Sequence, residues 1–434
     1  MRRLYSALIY CVAPLAFAVV LWRGLKERGY WLGLRERFGF GADLGSARSI
    51  WLHAVSLGEM SAAAPLIRAL RESHPDTPMV LTTATPAGRA RAAALFAGAA
   101  DIRYLPYDTP GAVRRFLTRT RPGAAVIMET ELWPNLLAAC ARRGVPVVLA
   151  SARLTARSVS RYRRLGSLFS GVFTENVSVA AQSADDAARF VQIGANEARV
   201  RVVGNVKFDV SIDAQLIAQG RRLRQSFGSG RCAWVAGSTH AGEDEAVIGA
   251  HTRLLQEKPR ALPLLAPRHR DRFEAVAALL VKSGLRFERR SSGAGLEQVQ
   301  SLSQCQVLLV DTLGELAMMY AAADVAFVGG SLVPVGGHNL LEPAALGLPV
   351  LSGPFQDNNR EIANLLTARG AVEVVADLPQ LAEALMRLFA DAARRRRMGE
   401  AGILIVAANR GSVAALVGLI EPMLAAARLP AAHR

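Results

Sequence analysis

Between Val325 and Glu361 the chain crowds glycine turns, polar side chains and a helix start into one strand-to-helix junction. The apolar run Val325-Ala-Phe-Val328 enters Gly329-Gly330, and a second pair, Gly336-Gly337, opens onto His338, Asn339 and then Leu340-Leu341-Glu342-Pro343. Paired glycines let backbone N–H groups come close to an anion, and proline suits the first turn of a helix. A helix N-terminus with free amides favours phosphate, while a carboxylate at Glu342 is suited to hold vicinal hydroxyls such as those of a ribose. The combination predicts a nucleotide ligand. The plainer alternative is a strand–turn–helix in which the glycines relieve strain and Glu342 complements the helix dipole.

Other polar clusters follow apolar runs in the same half of the chain. Ala233–Ala236 leads into Gly237-Ser238-Thr239-His240 and the acidic stretch Glu243-Asp-Glu245, where hydroxyls and amides after a glycine can hold phosphate or simply cap a helix. Leu262–Ala266 ends at Pro267-Arg268-His269, offering a guanidinium for phosphate or carboxylate. Asp311-Thr-Leu-Gly314-Glu315 follows Val307–Val310 with one more glycine turn.

In the amino-terminal half, Trp51-Leu-His-Ala-Val55 runs into Ser56-Leu-Gly58-Glu59. Ser56-x-x-Glu59 has the spacing of a reciprocal helix cap. Ala124–Met128 ends in Glu129-Thr-Glu131-Leu-Trp133-Pro134, two carboxylates whose burial at a strand end would be costly without partners, which suggests acceptor contacts or a base, the plainer alternative being acids at a helix start. Ser151-Ala-Arg153 and Gly204-Asn205-Val-Lys207-Phe-Asp209 add amides and cations. A dehydrogenase glycine fingerprint fails on context, since Gly228-Ser-Gly230 precedes a strand, and there is no Walker A sequence. The histidines lack close metal-ligand spacing and there is no Asp-x-Asp pair, so no metal is expected.

These clusters need rigid elements to aim them. Ile50–Val55, Met79–Thr82, Ala124–Met128, Val147–Ala150, Val177–Ala181 and Val200–Val203 read as buried parallel strands separated by helical patterns. Ala233–Ala236, Leu262–Ala266, Val307–Val310, Val325–Val328 and Pro349–Leu351 form a second series, with Gly228-Ser-Gly230 as a candidate hinge before it. The expectation is α/β: two Rossmann-like doubly wound domains facing an interdomain cleft, spanning residues 23–210 and 211–434.

A length of 434 residues accommodates two such domains, and 51% hydrophobic residues suit a soluble body joined to something greasier. The excess of 52 Lys and Arg over 36 Asp and Glu, a net charge of +16, attracts phosphate. Scattered arginines, 6% aromatics and no nucleic-acid-binding signature argue against nucleic acid as the partner. Leu4 to Trp22 carries no charge and is bracketed by Arg2-Arg3 and by Arg23, Lys26 and Arg28, which predicts an uncleaved anchor or membrane-dipping helix over residues 1–22 with the following domain on the cytoplasmic side. A cleaved signal at Ala16-Phe-Ala18 is the rival reading.

The motifs SLGE (56–59), METELWPN (128–135), SARL (151–154), GNVKFD (204–209), GSTHAGEDE (237–245), PRH (267–269), DTLGEL (311–316) and FVGGSLVPVGGHNLLEP (327–343) together resemble the lipid A-specific 3-deoxy-D-manno-octulosonic acid (Kdo) transferases over nearly the whole chain. The resemblance implies a GT-B glycosyltransferase that moves Kdo from CMP-Kdo to a lipid A precursor at the inner membrane without metal. It implies Glu59 as the catalytic base and CMP held around Arg268, Gly314, Asn339 and Glu342. Taken with the clusters above, the expected donor residues are Ser238, Thr239, His240, Arg268, His269, Gly314, Glu315, Gly336, Gly337, Asn339 and Glu342. The expected acceptor or Kdo contacts are Ser56, Gly58, Glu129, Glu131, Arg153 and Lys207. Two other classes fit parts of the pattern: a GT-B enzyme using a UDP-sugar and a lipid acceptor, separable by CMP against UDP binding, and a non-catalytic basic module, separable by salt-sensitive RNA binding.

Overall fold

The computed structural model describes residues 1–45, 47–164, 166–169, 171–228, 230–293, 302 and 304–428. The chain forms two compact units, Met1–Asp209 with Asn409–Arg434, and Val210–Ala408.

The first unit is built on seven parallel strands: β1 Ser49–His53, β2 Met79–Thr83, β3 Asp101–Tyr104, β4 Pro122–Met128, β5 Val147–Ala152, β6 Val177–Ala181 and β7 Val200–Val202. They lie in the order β3-β2-β1-β4-β5-β6-β7. Helices cover both faces, so successive side chains of one strand enter different cores. Trp51, Ala125, Ile127, Val147 and Leu149 point to one face, and Ile50, Leu52, Ala124, Val126 and Val148 to the other.

The carboxy-terminal helix Ser412–Arg428 belongs to this first unit, where Leu416, Ile420 and Leu424 complete the second of those cores. The expected boundary, with all of 211–434 in one domain, is corrected accordingly. The return is fixed by Asp209, whose carboxylate accepts the N–H groups of Gly411 and Val413, each at 2.6 Å. Gly204 allows the approach, because a Cβ there would come within 2.7 Å of the Ser412 hydroxyl.

The second unit repeats the plan with β8 Ala233–Thr239, β9 Leu262–Pro267, β10 Phe287–Arg289, β11 Val307–Leu309, β12 Val325–Val328, β13 Val350–Ser352 and β14 Val372–Val374, all parallel, in the order β10-β11-β9-β8-β12-β13-β14. Trp234, Ala236, Leu265 and Phe327 pack on one face, and Ala233, Val235, Leu264 and Ala326 on the other.

Both strand orders reverse at the first strand of the unit. In the first sheet β1 has β2 on one side and β4 on the other; in the second, β8 lies between β9 and β12. Loops leaving the carboxyl ends at such a point turn to opposite faces and leave a crevice, the usual ligand position in open α/β sheets.

Among the described residues, two helical stretches are long and apolar enough to cross a membrane, Arg2–Lys26 and Ala392–Ala426. The second includes Leu416, Ile420 and Leu424, which are buried in the core of the first unit. The first leaves Leu4, Leu8, Leu15 and Trp22 exposed, and extends four residues beyond the expected limit of the anchor.

Candidate active site

In the first unit, the crevice between β1 and β4 is lined by carboxylates. After β1 the chain turns at Val55-Ser56 and begins the helix Leu57–Ser73. The Ser56 hydroxyl oxygen accepts the Glu59 N–H at 3.3 Å and donates to Glu59 Oε1 at 3.0 Å, while Glu59 Oε2 accepts the Val55 N–H at 2.8 Å. The helix cap is therefore real, and it holds the Glu59 carboxylate over the strand end. Gly58 sits in the first turn, where a Cβ would meet little besides the Ser56 hydroxyl at 3.9 Å.

Across the crevice, β4 is followed by Glu129, whose φ of 56° is unusual for a residue with a side chain. Its N–H still reaches the Ala150 carbonyl at 2.9 Å, so the left-handed turn redirects the side chain without giving up sheet pairing. Glu131 accepts the indole N–H of Trp133 at 2.7 Å. Ser151, φ 52°, marks a register shift in β5, and backbone strain of this kind concentrates at functional sites. Glu59, Glu129, Glu131, Arg153, Arg161 and Tyr162 border one cavity of about 290 Å³.

Burial raises the Glu59 carboxyl to about 7, opposed by the Val55 N–H and the Ser56 hydroxyl and reinforced by the charges of Glu129 and Glu131. Burial also raises Glu131, against the Trp133 hydrogen bond and with the charge of Glu129. Glu59 is thus placed to exchange a proton near neutral pH, as a general base requires.

Lys207 lies outside that cavity lining. It is half-buried on the turn Val206–Phe208, joined to the end of β5 by a chain of hydrogen bonds: the Asn205 amide to Gln182 at 3.0 Å, and the Gln182 amide to the Ser151 carbonyl at 2.9 Å.

In the second unit, the crevice between β8 and β12 joins two of the expected clusters. His240 Nε2 lies 2.8 Å from His338 Nε2, with the rings nearly parallel at 11°. The His269 ring meets His240 edge-on at 5.3 Å, and Arg268 beside them is exposed. Burial lowers both partners of the pair, His338 to about 4, and the positive charge of Arg268 acts in the same direction on each. Ser238, φ 58°, sits at a register shift between β8 and β9.

Several expected donor contacts are engaged within the fold. The Thr239 hydroxyl donates to Asp244 at 2.6 Å. Glu315 is held by Arg290 at 2.9 Å and by the Thr312 hydroxyl. Gly314 has φ 87° in an open turn. The Gly337 N–H donates to the Gly330 carbonyl at 2.7 Å, and Cβ atoms at Gly336 and Gly337 would collide with Asn358 and Gln356. This second glycine pair brings two chain segments together; the Gly337 amide expected to face an anion is occupied.

The first glycine pair does hold an anion, but the anion belongs to the protein. The fully buried Glu243 carboxylate accepts from the backbone N–H of Gly330 at 2.6 Å, Ser331 at 2.8 Å, Leu332 at 2.8 Å and His240 at 2.9 Å. In the sequence Glu243 stands only as part of an acidic helix start. The sequence signal is an unusually acidic GEDE after an apolar strand, but three of the four partners are 87 to 89 residues away.

Asn339 is exposed and caps the next turn, its side-chain oxygen accepting the Leu341 N–H at 3.0 Å and its amide donating to Glu342 at 3.1 Å. Burial raises the Glu342 carboxyl, while that amide lowers it. Among the described residues no three His, Cys, Asp or Glu side chains gather to hold a metal ion.

Two doubly wound parallel sheets with polar loops at their strand carboxyl ends place the chain in the GT-B class of α/β folds. The UDP-GlcNAc 2-epimerase from Neisseria meningitidis, solved with UDP-GlcNAc, shares this fold at a TM-score of 0.54 and 14% identity, over 86% of this chain and 100% of that one. A family model described as 3-deoxy-D-manno-octulosonic-acid transferase (kdotransferase) matches residues 33–210. The 3-deoxy-D-manno-octulosonic acid transferase of Haemophilus influenzae is 37% identical over 426 residues, 98% of this chain and 99% of that protein. Its counterpart in Bordetella pertussis is 39% identical over 436 residues, with the same coverage. The chain belongs to the Kdo transferase family of glycosyltransferases.

The carboxylate cluster makes a prediction that does not require substrate. In isotope-edited infrared titration, the Glu59 carboxyl will lose its proton near pH 7. Glu129→Gln removes a like charge and will move that transition to lower pH; an unmoved or raised midpoint would show that the two groups do not interact.

Proposed function

We propose that the chain transfers Kdo from CMP-Kdo to a hydroxyl of a lipid A precursor, lipid IVA, in lipopolysaccharide biosynthesis at the cytoplasmic face of the inner membrane. The observation that carries this reading is Glu59, a half-buried carboxylate raised to about 7 beside two further glutamates at the crevice of its sheet. In the proposed displacement Glu59 takes the acceptor hydroxyl proton, the oxygen bonds to the anomeric carbon of Kdo with inversion, and CMP leaves with the bonding electron pair. Arg153 and Arg161 at the same cavity suit the phosphates of the acceptor, and Lys207 suits the carboxylate of the donor sugar.

On the donor side, Arg268 and the His240–His338 pair would offset the charge that builds on the departing phosphate. Glu342, steadied by Asn339, would accept the ribose hydroxyls. Cations already stand on both sides of the reaction in this account, so transfer is proposed to be independent of metal. The helix Arg2–Lys26, with exposed leucines and basic ends, would keep the enzyme at the bilayer that holds its acceptor.

Mass spectrometry of lipid IVA after incubation with CMP-Kdo will show additions of whole Kdo residues, unchanged by chelator. Transfer only from a UDP-sugar would overturn the donor, and activity lost to chelator but restored by a divalent ion would overturn metal independence. Glu342→Gln will weaken CMP binding by about 1–3 kcal/mol, the scale of a hydrogen bond to a charged acceptor, with the melting temperature nearly unchanged. Unaltered CMP affinity in calorimetry would remove Glu342 from the site.

A further inference from the structure

The helix Arg2–Lys26 is fastened to the first unit along its whole length. Tyr5, Ile9, Ala13, Phe17 and Val20 are half-buried and Gly24 is buried, at spacings of three or four residues that define one continuous face. At its start, the Tyr5 hydroxyl donates to Asp108 at 2.9 Å, the Ser6 hydroxyl donates to the Asn135 side-chain oxygen at 2.9 Å, and the Tyr10 oxygen accepts the Gly111 N–H at 3.2 Å. Midway, Phe17 packs edge-on against Phe38 with ring centres 5.1 Å apart. At its end, the Trp31 indole donates to the Leu21 carbonyl at 3.0 Å and lies so close to Gly24 that a Cβ there would fall 1.9 Å from the ring nitrogen.

A helix of 25 residues is about 37 Å long, enough to cross the roughly 30 Å hydrocarbon layer. Crossing would pull its first turns away from Asp108 and Asn135, and Asp108 is itself buried. Its carboxylate also accepts the N–H groups of Asn135 at 3.0 Å and Leu136 at 2.7 Å, which open the helix Pro134–Arg142 directly after Trp133, the partner of Glu131. Loss of the Tyr5 contact would therefore be felt next to the carboxylate cavity. The opposite face is greasy over the same length: Leu4, Leu8, Leu15, Val19, Trp22 and Leu25 are all exposed. Arg2, Arg3, Arg23, Lys26 and Arg28 flank it, and the Lys26 ammonium stands 5.1 Å from the Trp22 ring.

We propose that this helix does not span the bilayer but lies in the plane of one leaflet, clamped to the first unit. The stripe from Leu4 to Leu25 enters the acyl chains, and the flanking cations meet anionic headgroups. Both helix ends then stay on the same side of the membrane as the folded body, and the acceptor cavity is held at the leaflet surface. The inference rests on the membrane reading of the helix and adds its orientation.

The test uses the full chain synthesised into inverted inner-membrane vesicles, with Cys11, Cys140, Cys232 and Cys305 changed to Ser and a single new cysteine supplied by Arg3→Cys or, as a control on the body, Arg201→Cys. A membrane-impermeant maleimide will label both variants at similar rates. Protection of the Arg3→Cys variant until the vesicles are lysed would show a spanning helix and overturn the proposal. In a second variant, Ser6→Cys with Asn135→Cys, an oxidised cross-link will leave vesicle binding within about twofold, whereas loss of binding would mean the helix must undock; if this pair misfolds, the labelling result decides. Failure of the whole chain to bind vesicles at all would instead overturn the membrane reading on which the orientation depends.

Discussion

The reversal of strand order within each parallel sheet is the constraint from which the chemistry of this protein follows. Where β1 meets β4, and where β8 meets β12, loops from adjacent strands diverge to opposite faces and leave a crevice into which both can send side chains. In the first unit that brings Glu59 to Glu129 and Glu131, and in the second His240 to His338. Neither arrangement is comfortable. Like charges crowd together in one, which makes it receptive to a proton or a cation; in the other, two partly buried imidazoles share a short contact and are held below their ordinary range by burial and by the charge of Arg268.

The second crevice also shows how a fold can use its own anion-binding geometry. Glu243 is fully buried, a costly position for a carboxylate without partners, and four backbone N–H groups supply them. Three come from the loop after β12 and one from the loop after β8, so the carboxylate ties together the two sides of the crevice. The glycine-rich segment has a structural task before it has a binding one. With those four amides engaged, Arg268 remains exposed and His240, His338 and Glu342 half-buried.

The buried strands were legible because doubly covered parallel strands read as continuous apolar runs. Three of the four edge strands escaped: β3 (Asp-Ile-Arg-Tyr), β10 (Phe-Glu-Arg) and β14 (Val-Glu-Val) are short and charged, as exposed edges tend to be, while the fourth, β7, was legible as Val200–Val203. Local chemistry was legible too, since Ser56-x-x-Glu59 announces its cap in four residues. What could not be read depends on distant partners. The return of the carboxy-terminal helix rests on Asp209 finding amides more than 200 residues later. The engagement of Glu243, and the face of the first helix that docks on Asp108, are likewise products of the folded arrangement.

The cap and the proposed base at Glu59 are the same carboxylate, and this coincidence gives the account its most direct test. Glutamine can retain much of the capping geometry but cannot accept a proton. In single-turnover Kdo transfer from CMP-Kdo at neutral pH, Glu59→Gln should fold, bind CMP as the parent does, and react about 10²–10⁴-fold more slowly, the usual contribution of a general base. Transfer at close to the parent rate would contradict the account, reduce Glu59 to a helix cap, and pass the role of base to Glu129 or Glu131.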